Sequence, residues 1–342
     1  MSYKRWGKLA VVTAAAVMLL ATGCSKGKTD TPATAPKNVT IKLAHNLPTQ
    51  HHLAVGMDEF AKKVQEKSKG SIQVKVFPSG QLFNDKSMNE AVMSGGVEMG
   101  LNSAAMWSSI IPAMEVFDVP FLFPNYDKLQ KALNSGVGEK LSKEMEAKGA
   151  KVLLWGDYGF VQFANNKKPL KAPADFQGLK MRGYGELPSE TIKALGASPV
   201  TMGGGEVYMA LQRGTVDGLT SGTTAMYERK MFEVTKYLTM TNHAFPEFLV
   251  AVNLKFWKSL SAEQQKILTE AAKEVEDSLR KKAQAEDEKT LKLLQEKGME
   301  VYVVPEADLP AWQQATAPVR ELFVKRTGAV GQELIDICQK IK

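Results

Sequence analysis

The 342-residue sequence has few of the residues, and none of the motifs, that usually mark a catalytic or metal-binding protein. It contains two cysteines, too few for a disulfide framework, and four histidines, and it lacks the GxSxG, P-loop and HExxH motifs. The segment HNLPTQHH, residues 45–52, holds three of the histidines, but its spacing matches no known metal site. We therefore expect neither an enzyme nor a protein that needs a metal or a cofactor.

The charge of the chain is positive but not concentrated. The sequence has 44 Lys and Arg against 37 Asp and Glu, a formal net charge of +7. Residues 1–23 carry three basic and no acidic side chains, so 41 basic and 37 acidic residues remain without them and the net charge is +4. The lysines are interspersed with glutamates along helical stretches, so nothing indicates binding to nucleic acid.

Residues 1–23 have the pattern of a secretory signal peptide. Basic residues precede an apolar run from Leu9 to Ala21, which is too short for a spanning helix. The end of this signal, LLATGC, resembles the bacterial lipobox, whose cysteine is lipidated and becomes the mature N-terminus. We expect a lipid on Cys24, a flexible tether over residues 24–37, and an extracytoplasmic protein anchored to the membrane, in the periplasm or on the outer face of the cell. The alternative is an ordinary secreted protein.

Strand-like and helix-like segments alternate from residue 38 onwards, which predicts α/β lobes with largely parallel strand pairing. A helix is expected from about His52 to Lys67, between strands in VTIKLAHNL and SIQVKVFPSG. Two segments resemble each other at an offset of 119 residues, AVMSGGVEMGLNSA from Ala91 and ALQRGTVDGLTSG from Ala210. Each predicts a helix end, a glycine and a short strand, which indicates two lobes built on one plan.

Polar residues follow the predicted strands, where we expect loops. In open α/β sheets, ligands bind at the carboxyl ends of the strands, so two facing lobes would bring these residues together around a cleft. The residues are His45 and Asn46, Asn102 and Ser103, Asp157, Tyr158 and Gly159, Arg182 and Tyr184, and Thr220 and Ser221.

The segment from Ser261 to Gly298 predicts one long helix, because it contains no proline and no glycine before its last residue. Ser261 and Gln264 have the spacing of a capping box. At ~1.5 Å per residue the helix would be roughly 55 Å long, which is longer than one lobe, so we expect it to cross both. A kink or break between Lys281 and Asp287, where the apolar spacing lapses, is the alternative.

Arg182 lies in GLKMRGYGE, between a short apolar run and a glycine-containing turn. A guanidinium can bind a carboxylate through two parallel hydrogen bonds, which partial burial in a cleft strengthens. An internal ion pair with Glu186 or Glu206 is the alternative, and the spacing alone does not decide between the two. For MGGGEVY, residues 202–208, a cleft-wall turn is favoured over a nucleotide-binding loop, because no Lys-Ser or Lys-Thr follows the glycines.

Several segments between about Val39 and Gly328 resemble one known family in both order and spacing. They are IKLAHNLP, KVFPSGQL, VFDVPFLF, NNKKPLKAPADFQGLKMR, LGASPV, GEVYMALQRGTVDG and EVTKYLTMTNH. Together they resemble the solute-binding subunits of tripartite ATP-independent periplasmic (TRAP) transporters, within the dicarboxylate-binding group.

The resemblance implies a two-lobed periplasmic-binding-protein fold of the α/β class, with crossing strands and a long helix that spans the lobes. One lobe would comprise residues 38–158 with about 248–286, and the other residues 159–247 with about 287–342. The resemblance also implies a monomer that closes on a small organic acid and delivers it to a membrane permease driven by a sodium gradient. A sensor that presents the same ligand to a receptor kinase is the alternative.

The resemblance assigns ligand contacts residue by residue. The arginine of the family's GLKxR motif binds the ligand carboxylate, and Arg182 occupies that position. Asn46, Asp85, Asn102 and Ser103 fall on further contact positions.

Three departures from the family pattern bear on the ligand. Val161 stands where sialic-acid and dicarboxylate binders often have an arginine, and Thr220 and Ser221 stand where an acid and an asparagine are common. Gly204 stands where an aromatic residue is often found. The missing cation predicts a monocarboxylate, and the missing aromatic predicts room for a bulkier ligand.

Three aromatic residues are candidates for contact with a hydroxyl, keto or aromatic group of such a ligand. They are Tyr158, Tyr184 and Trp107. Because large aromatic side chains are usually buried, Tyr158 and Trp107 are equally compatible with positions in the core.

Overall fold

The structure, a computed structural model, describes residues 38–341. The predicted signal peptide, the lipidation site at Cys24 and the tether lie outside the described residues. No helix in residues 38–341 is both long and apolar enough to cross a membrane.

Eleven strands in the described part of the chain form two sheets. The strands are β1 (Val39–His45), β2 (Ile72–Phe77), β3 (Met99–Ser103), β4 (Ala150–Asp157), β5 (Val161–Asn165), β6 (Lys180–Gly183), β7 (Ser198–Thr201), β8 (Gly218–Gly222), β9 (Tyr237–Ala244), β10 (Glu247–Asn253) and β11 (Glu300–Val303). The order in the first sheet is β2-β1-β3-β10-β4, and the order in the second is β11-β9-β5-β8-β6-β7.

Helices cover the sheets, and short 3-10 segments connect several of them. The α-helices are α1 (His52–Lys67), α2 (Asp85–Ser94), α3 (Tyr126–Ala132), α4 (Gly138–Ala147), α5 (Glu186–Ala194), α6 (Val207–Gln212), α7 (Thr223–Glu228), α8 (Leu254–Ser259), α9 (Ala262–Glu296) and α10 (Leu309–Lys340). The α/β fold class is therefore confirmed, and α1 has the predicted bounds.

Both sheets are mixed, so the expectation of largely parallel pairing holds only in part: five of the nine pairings are parallel and four are antiparallel. One strand in each sheet, β10 in the first and β5 in the second, runs antiparallel to both of its neighbours. The other pairings are parallel. Each antiparallel strand is the one that the chain forms directly after leaving the other sheet, β5 after β4 and β10 after β9. These two crossings hold the sheets next to each other.

The long helix is present as predicted. The Ser261 hydroxyl accepts a hydrogen bond from the Gln264 N–H (3.2 Å), and the Gln264 side chain accepts one from the Ser261 N–H (2.9 Å), which completes the capping box. The 35 residues of α9 remain helical through residues 281–287, so the alternative of a kink or break there is wrong. The helix packs against α1 and β4 of the first sheet and against α7, which follows a strand of the second.

The two similar segments fold alike. In the first, α2 ends at Gly95, whose φ of 82° places it in the left-handed region, and β3 follows. In the second, α6 is followed by Gly214, with a φ of 69°, and then by β8. Glycine adopts this conformation without the steric cost that other residues have, which explains why both helices stop there. The polar ends of β3 and β8 thus occupy similar places in the two sheets.

The last helix contributes to more than one part of the core. Leu334 and Cys338 of α10 belong to the same buried cluster as Leu141 of α4. Trp312, near the start of α10, belongs instead to a cluster with Met181 of β6. Because α10 packs on elements of both sheets, the lobe boundaries given above stay a prediction.

Candidate functional site

A cavity with about 470 Å³ of empty volume lies where polar strand ends of the two sheets meet. This volume is all the space free of protein atoms between the lining residues, and part of it is open to solvent. The lining residues are Asn46, Leu47, Asp85, Asn102, Ser103, Met106, Tyr158, Val161, Arg182, Tyr184, Gly204, Ser221, Arg229, Pro246 and Phe248.

Most of the residues predicted to bind a ligand come together at this cavity. They are Asn46, Asp85, Asn102, Ser103, Tyr158, Arg182, Tyr184 and Ser221. The expectation that such residues are in loops is wrong for several of them, because Asn102, Ser103, Arg182 and Ser221 lie within strands. They are therefore held by the hydrogen bonding of the sheets.

His45 and Thr220 are not among the lining residues. Burial is the main cause that lowers the pKa of His45 to about 4, so the imidazole is neutral at neutral pH. The Thr220 hydroxyl lies 3.2 Å from Nε2 of His243, in the interior. The backbone carbonyl of Thr220 accepts a hydrogen bond from Nη1 of Arg182 at 3.1 Å, so this residue acts on the site through its main chain.

Arg182 is a buried cation held by backbone carbonyls. Its residue is 4% exposed, and its strand, β6, lies between β7 and β8. Besides the bond to Thr220, its Nε donates to the carbonyl of Met202 at 3.0 Å. The guanidinium carbon lies 5.7 Å from the centre of the Tyr184 ring, a cation–π distance. These contacts fix the direction in which the guanidinium faces the cavity.

The positive charge of Arg182 has no carboxylate partner within 4.0 Å among residues 38–341. The predicted alternative of an ion pair with Glu186 or Glu206 is wrong, because Glu186 pairs with Arg326 at 2.7 Å and Glu206 with Lys86 at 3.3 Å. Burial is the main cause that lowers the pKa of Arg182 to about 10, so the group still carries its charge at neutral pH. A desolvated, unpaired cation is costly to folding, so its presence in a cavity indicates an anion-binding site.

Arg229 is a second cation at the cavity, which the sequence analysis missed. It is the residue directly after α7, and its Nη2 donates to the carbonyl of Asn46 at 3.3 Å. A Cβ on Gly204 would overlap Nη1 of Arg229. The expectation that the missing aromatic at Gly204 leaves room for a bulkier ligand is therefore wrong, because Arg229 occupies that space.

A hydrogen-bond network ties the start of α2 to both sheets. The side-chain amide of Asn102 donates to the carbonyl of Asp85 at 2.8 Å and to Oδ1 of Asn89 at 2.9 Å. The Asp85 carboxylate accepts a hydrogen bond from the N–H of Gly204 at 2.9 Å. A Cβ on Gly203 would lie 2.5 Å from Oδ1 of Asp85, so this approach requires glycine.

The aromatic candidates divide between the cavity and the core. The Tyr158 hydroxyl lies 3.2 Å from Oγ of Ser221, and its ring stacks on Phe248 with centroids 4.9 Å apart. Tyr158 therefore lines the cavity and connects β8 to the β4–β5 crossing. Trp107 is 1% exposed and belongs to the hydrophobic core. Val161 lines the cavity, so its position contributes apolar surface there.

Tyr184 connects the cavity to a buried acid. Its hydroxyl donates to Oδ1 of Asp118 at 2.6 Å. Burial is the main cause that raises the pKa of Asp118 to about 8, although the hydrogen bond from Tyr184 opposes the shift. Asp118 is therefore mainly protonated at neutral pH, and the pair adds little negative charge near Arg182.

Two mixed sheets joined by crossing strands, with a cation-lined cavity at their meeting point, define a two-lobed ligand-binding protein of the periplasmic type. Residues 43–326 match the family DctP, described as bacterial extracellular solute-binding protein, family 7. The chain belongs to this family. The predicted TRAP solute-binding class is thereby confirmed.

Individual relatives agree with this assignment. The C4-dicarboxylate-binding periplasmic protein DctP of Rhodobacter capsulatus is 35% identical over 294 residues, covering 85% of this chain and 88% of the relative. A TRAP periplasmic solute-binding protein of Sulfurospirillum deleyianum, solved with succinate, is 32% identical with a TM-score of 0.84, covering 90% of this chain and 100% of that one. The sugar acid binding protein DctPAm of Advenella mimigardefordensis, solved with galactonate, is 28% identical with a TM-score of 0.86, covering 90% and 99%.

The raised pKa of Asp118 predicts a pH dependence of stability. The folded state keeps the proton up to about pH 8, whereas an unfolded Asp loses it near its ordinary value of 3.8. The stabilisation from this group is therefore complete below about pH 4 and decreases as the pH rises towards 8. Asp118→Asn, which never ionises, should flatten the fall in melting temperature between pH 5 and pH 9. Asp308→Asn, at an exposed position, is the control, and equal slopes in the wild type and Asp118→Asn would contradict the prediction.

Proposed function

We propose that this protein is the extracytoplasmic solute-binding subunit of a TRAP transporter, and that its cavity encloses a small organic acid whose carboxylate binds Arg182. The observation that carries the proposal is the buried guanidinium of Arg182, which has no carboxylate partner among the described residues, at a cavity between the two sheets. A ligand carboxylate would supply the anion that the described protein residues do not, through charge-assisted hydrogen bonds in a desolvated site.

The contacts around the cavity support closure of the two lobes over the ligand. Residues associated with the second sheet touch those of the first through Gly204 and Asp85, and through Arg229 and Asn46. Lys86 and Glu206 form an ion pair that links α2 to the start of α6 at 3.3 Å. We propose that these contacts form when the lobes close by hinge motion at the crossings, and that a ligand touching both lobes favours the closed state.

The argument for a monocarboxylate loses its premise in this structure. It assumed that Val161 leaves the site with a single cation, whereas Arg229 also lines the cavity. The polar and apolar linings fit a short organic acid, which includes dicarboxylates as well as monocarboxylates. We therefore propose an organic acid held by Arg182, with no preference at this point for a monocarboxylate over a dicarboxylate.

Delivery of the ligand to a membrane permease follows from membership of the family. The relatives solved with ligands are a TRAP periplasmic solute-binding protein and a sugar acid binding protein, and a further relative by sequence is a C4-dicarboxylate-binding periplasmic protein. We propose a sodium-coupled TRAP permease as the partner of the closed, ligand-bound form, and a monomer as the functional state. The two lobes are proposed to divide as the sequence analysis predicts.

We further propose that the protein is held at the membrane by a lipid on Cys24. The support is the sequence LLATGC, residues 19–24, at the end of the signal peptide. A diacylglycerol has two acyl chains and gives stable anchoring, whereas a single acyl chain binds a membrane only marginally.

Arg182→Ala tests the proposed carboxylate site. Each hydrogen bond to a charged group contributes about 1.5–3 kcal/mol, so losing two should weaken binding of an acid at least about a hundredfold. The mature chain, made with Cys24→Ser to omit the lipid, would be titrated calorimetrically with succinate, galactonate and monocarboxylates of three to six carbons. Arg320→Ala, at an exposed position, is the control. The proposal is wrong if no acid binds the wild type, or if Arg182→Ala binds the acids as tightly.

Cys24→Ser tests the lipid anchor. The full chain should incorporate a palmitate analogue in bacterial cells and sediment with membranes, and Cys24→Ser should do neither, because it lacks the thiol that accepts the diacylglycerol. Cys338→Ser changes the only other cysteine, which is buried and free, and should keep the label. Label retained by Cys24→Ser would show that the anchor is elsewhere.

A further inference from the structure

We propose that Arg229 is a second ligand-binding residue, and that it binds a second carboxylate of the acid held by Arg182. The inference rests on the proposed function of the cavity and names the class of its ligand as a dicarboxylate. Arg229 would then determine the preference for dicarboxylates over monocarboxylates. It is not at the position where the family resemblance places a second arginine, since that position is Val161 here.

The position of Arg229 gives its guanidinium access to the cavity. The residue lies directly after α7, on a different element from Arg182 in β6, and both side chains line the same cavity. Only Nη2 of Arg229 is bonded to a described protein atom, the carbonyl of Asn46. This neutral contact orients the guanidinium and leaves other N–H donors for a ligand.

Gly204 is what allows Arg229 to reach this place. Any Cβ at this position would overlap Nη1 of Arg229, so every other residue type would displace the guanidinium. The neighbouring Gly205 differs, because a Cβ there would meet no atom within 4 Å. Gly204 and Arg229 therefore form a specific pair, and Gly205 provides a matched comparison.

The charges around the cavity favour a ligand with two carboxylates. Arg182 and Arg229 form no ion pair with a carboxylate of residues 38–341 within 4.0 Å, and the charge of Arg229 is the next cause after burial that lowers the pKa of Arg182. The one acid in the lining, Asp85, is bonded to the N–H of Gly204. Its charge opposes the lowering of the pKa of both arginines, but its carboxylate forms no ion pair with either guanidinium within 4.0 Å. A monocarboxylate would leave one of the two guanidinium groups desolvated without a direct anion partner, whereas a dicarboxylate provides one anion for each.

The test compares acids that differ only in the second charge. Straight dicarboxylates of three to six carbons would each be titrated beside their monoamides, which keep one carboxylate and nearly the same shape. The wild-type mature chain should bind at least one diacid about tenfold or more tightly than its monoamide. Arg229→Gln should reduce this ratio to about one, with little change in monoamide affinity, and Arg229→Lys should restore part of it.

Variants of Gly204 and Gly205 test whether the contact between Gly204 and Arg229 is needed for the diacid preference. Gly204→Ala should lower the diacid-to-monoamide ratio as Arg229→Gln does, whereas Gly205→Ala should leave it unchanged. A purely structural role of Arg229, through its bond to Asn46, would weaken both ligands equally and leave the ratio unchanged.

Three results would overturn the inference: no diacid preference in the wild type, no effect of Arg229→Gln on the ratio, or an equal loss for both ligands. Failure here is distinguishable from failure of the proposed function. If acid binding depends on Arg182 but the diacid-to-monoamide affinity ratio does not depend on Arg229, the proposed organic-acid site is supported and only the second subsite is wrong. If no acid binds the wild type, both are wrong.

Discussion

The constraint on which the site depends is the cost of keeping the charge of Arg182 away from water. Burial already shifts its pKa downwards, and no carboxylate of the described chain lies within ion-pair distance. The fold tolerates this cation by giving it the carbonyls of Met202 and Thr220 and the ring of Tyr184. Because these partners are neutral, they do not neutralise the charge of Arg182, and a ligand anion can still form an ion pair with it.

Close approach of two charged side chains to the turn before α6 is the second requirement. Gly203 and Gly204 bring the turn before α6 against Asp85 and Arg229, at distances that a Cβ would prevent. The same turn supplies an N–H to Asp85, so the shape of the cavity and the contact between the sheets depend on the same few atoms. The proposed closure and the proposed ligand selectivity would therefore both depend on this turn.

Much of the fold could be predicted because its signals are local. The capping box at Ser261, the glycine stops after α2 and α6, and the GLKMR segment each depend on neighbouring residues in the sequence. The antiparallel strands could not be predicted, since residue alternation shows that a strand exists but not its direction. Arg229 was missed for a related reason: YERK has the pattern of an exposed helix end, and only the tertiary structure brings it beside Gly204.

The most direct test of the account is a crystal structure of the mature chain grown with an acid that it binds. The account predicts a ligand carboxylate oxygen about 3 Å from an Nη atom of Arg182, with the bond from Nε to the carbonyl of Met202 retained. A ligand bound elsewhere, with the guanidinium of Arg182 contacting only protein carbonyls, would contradict it.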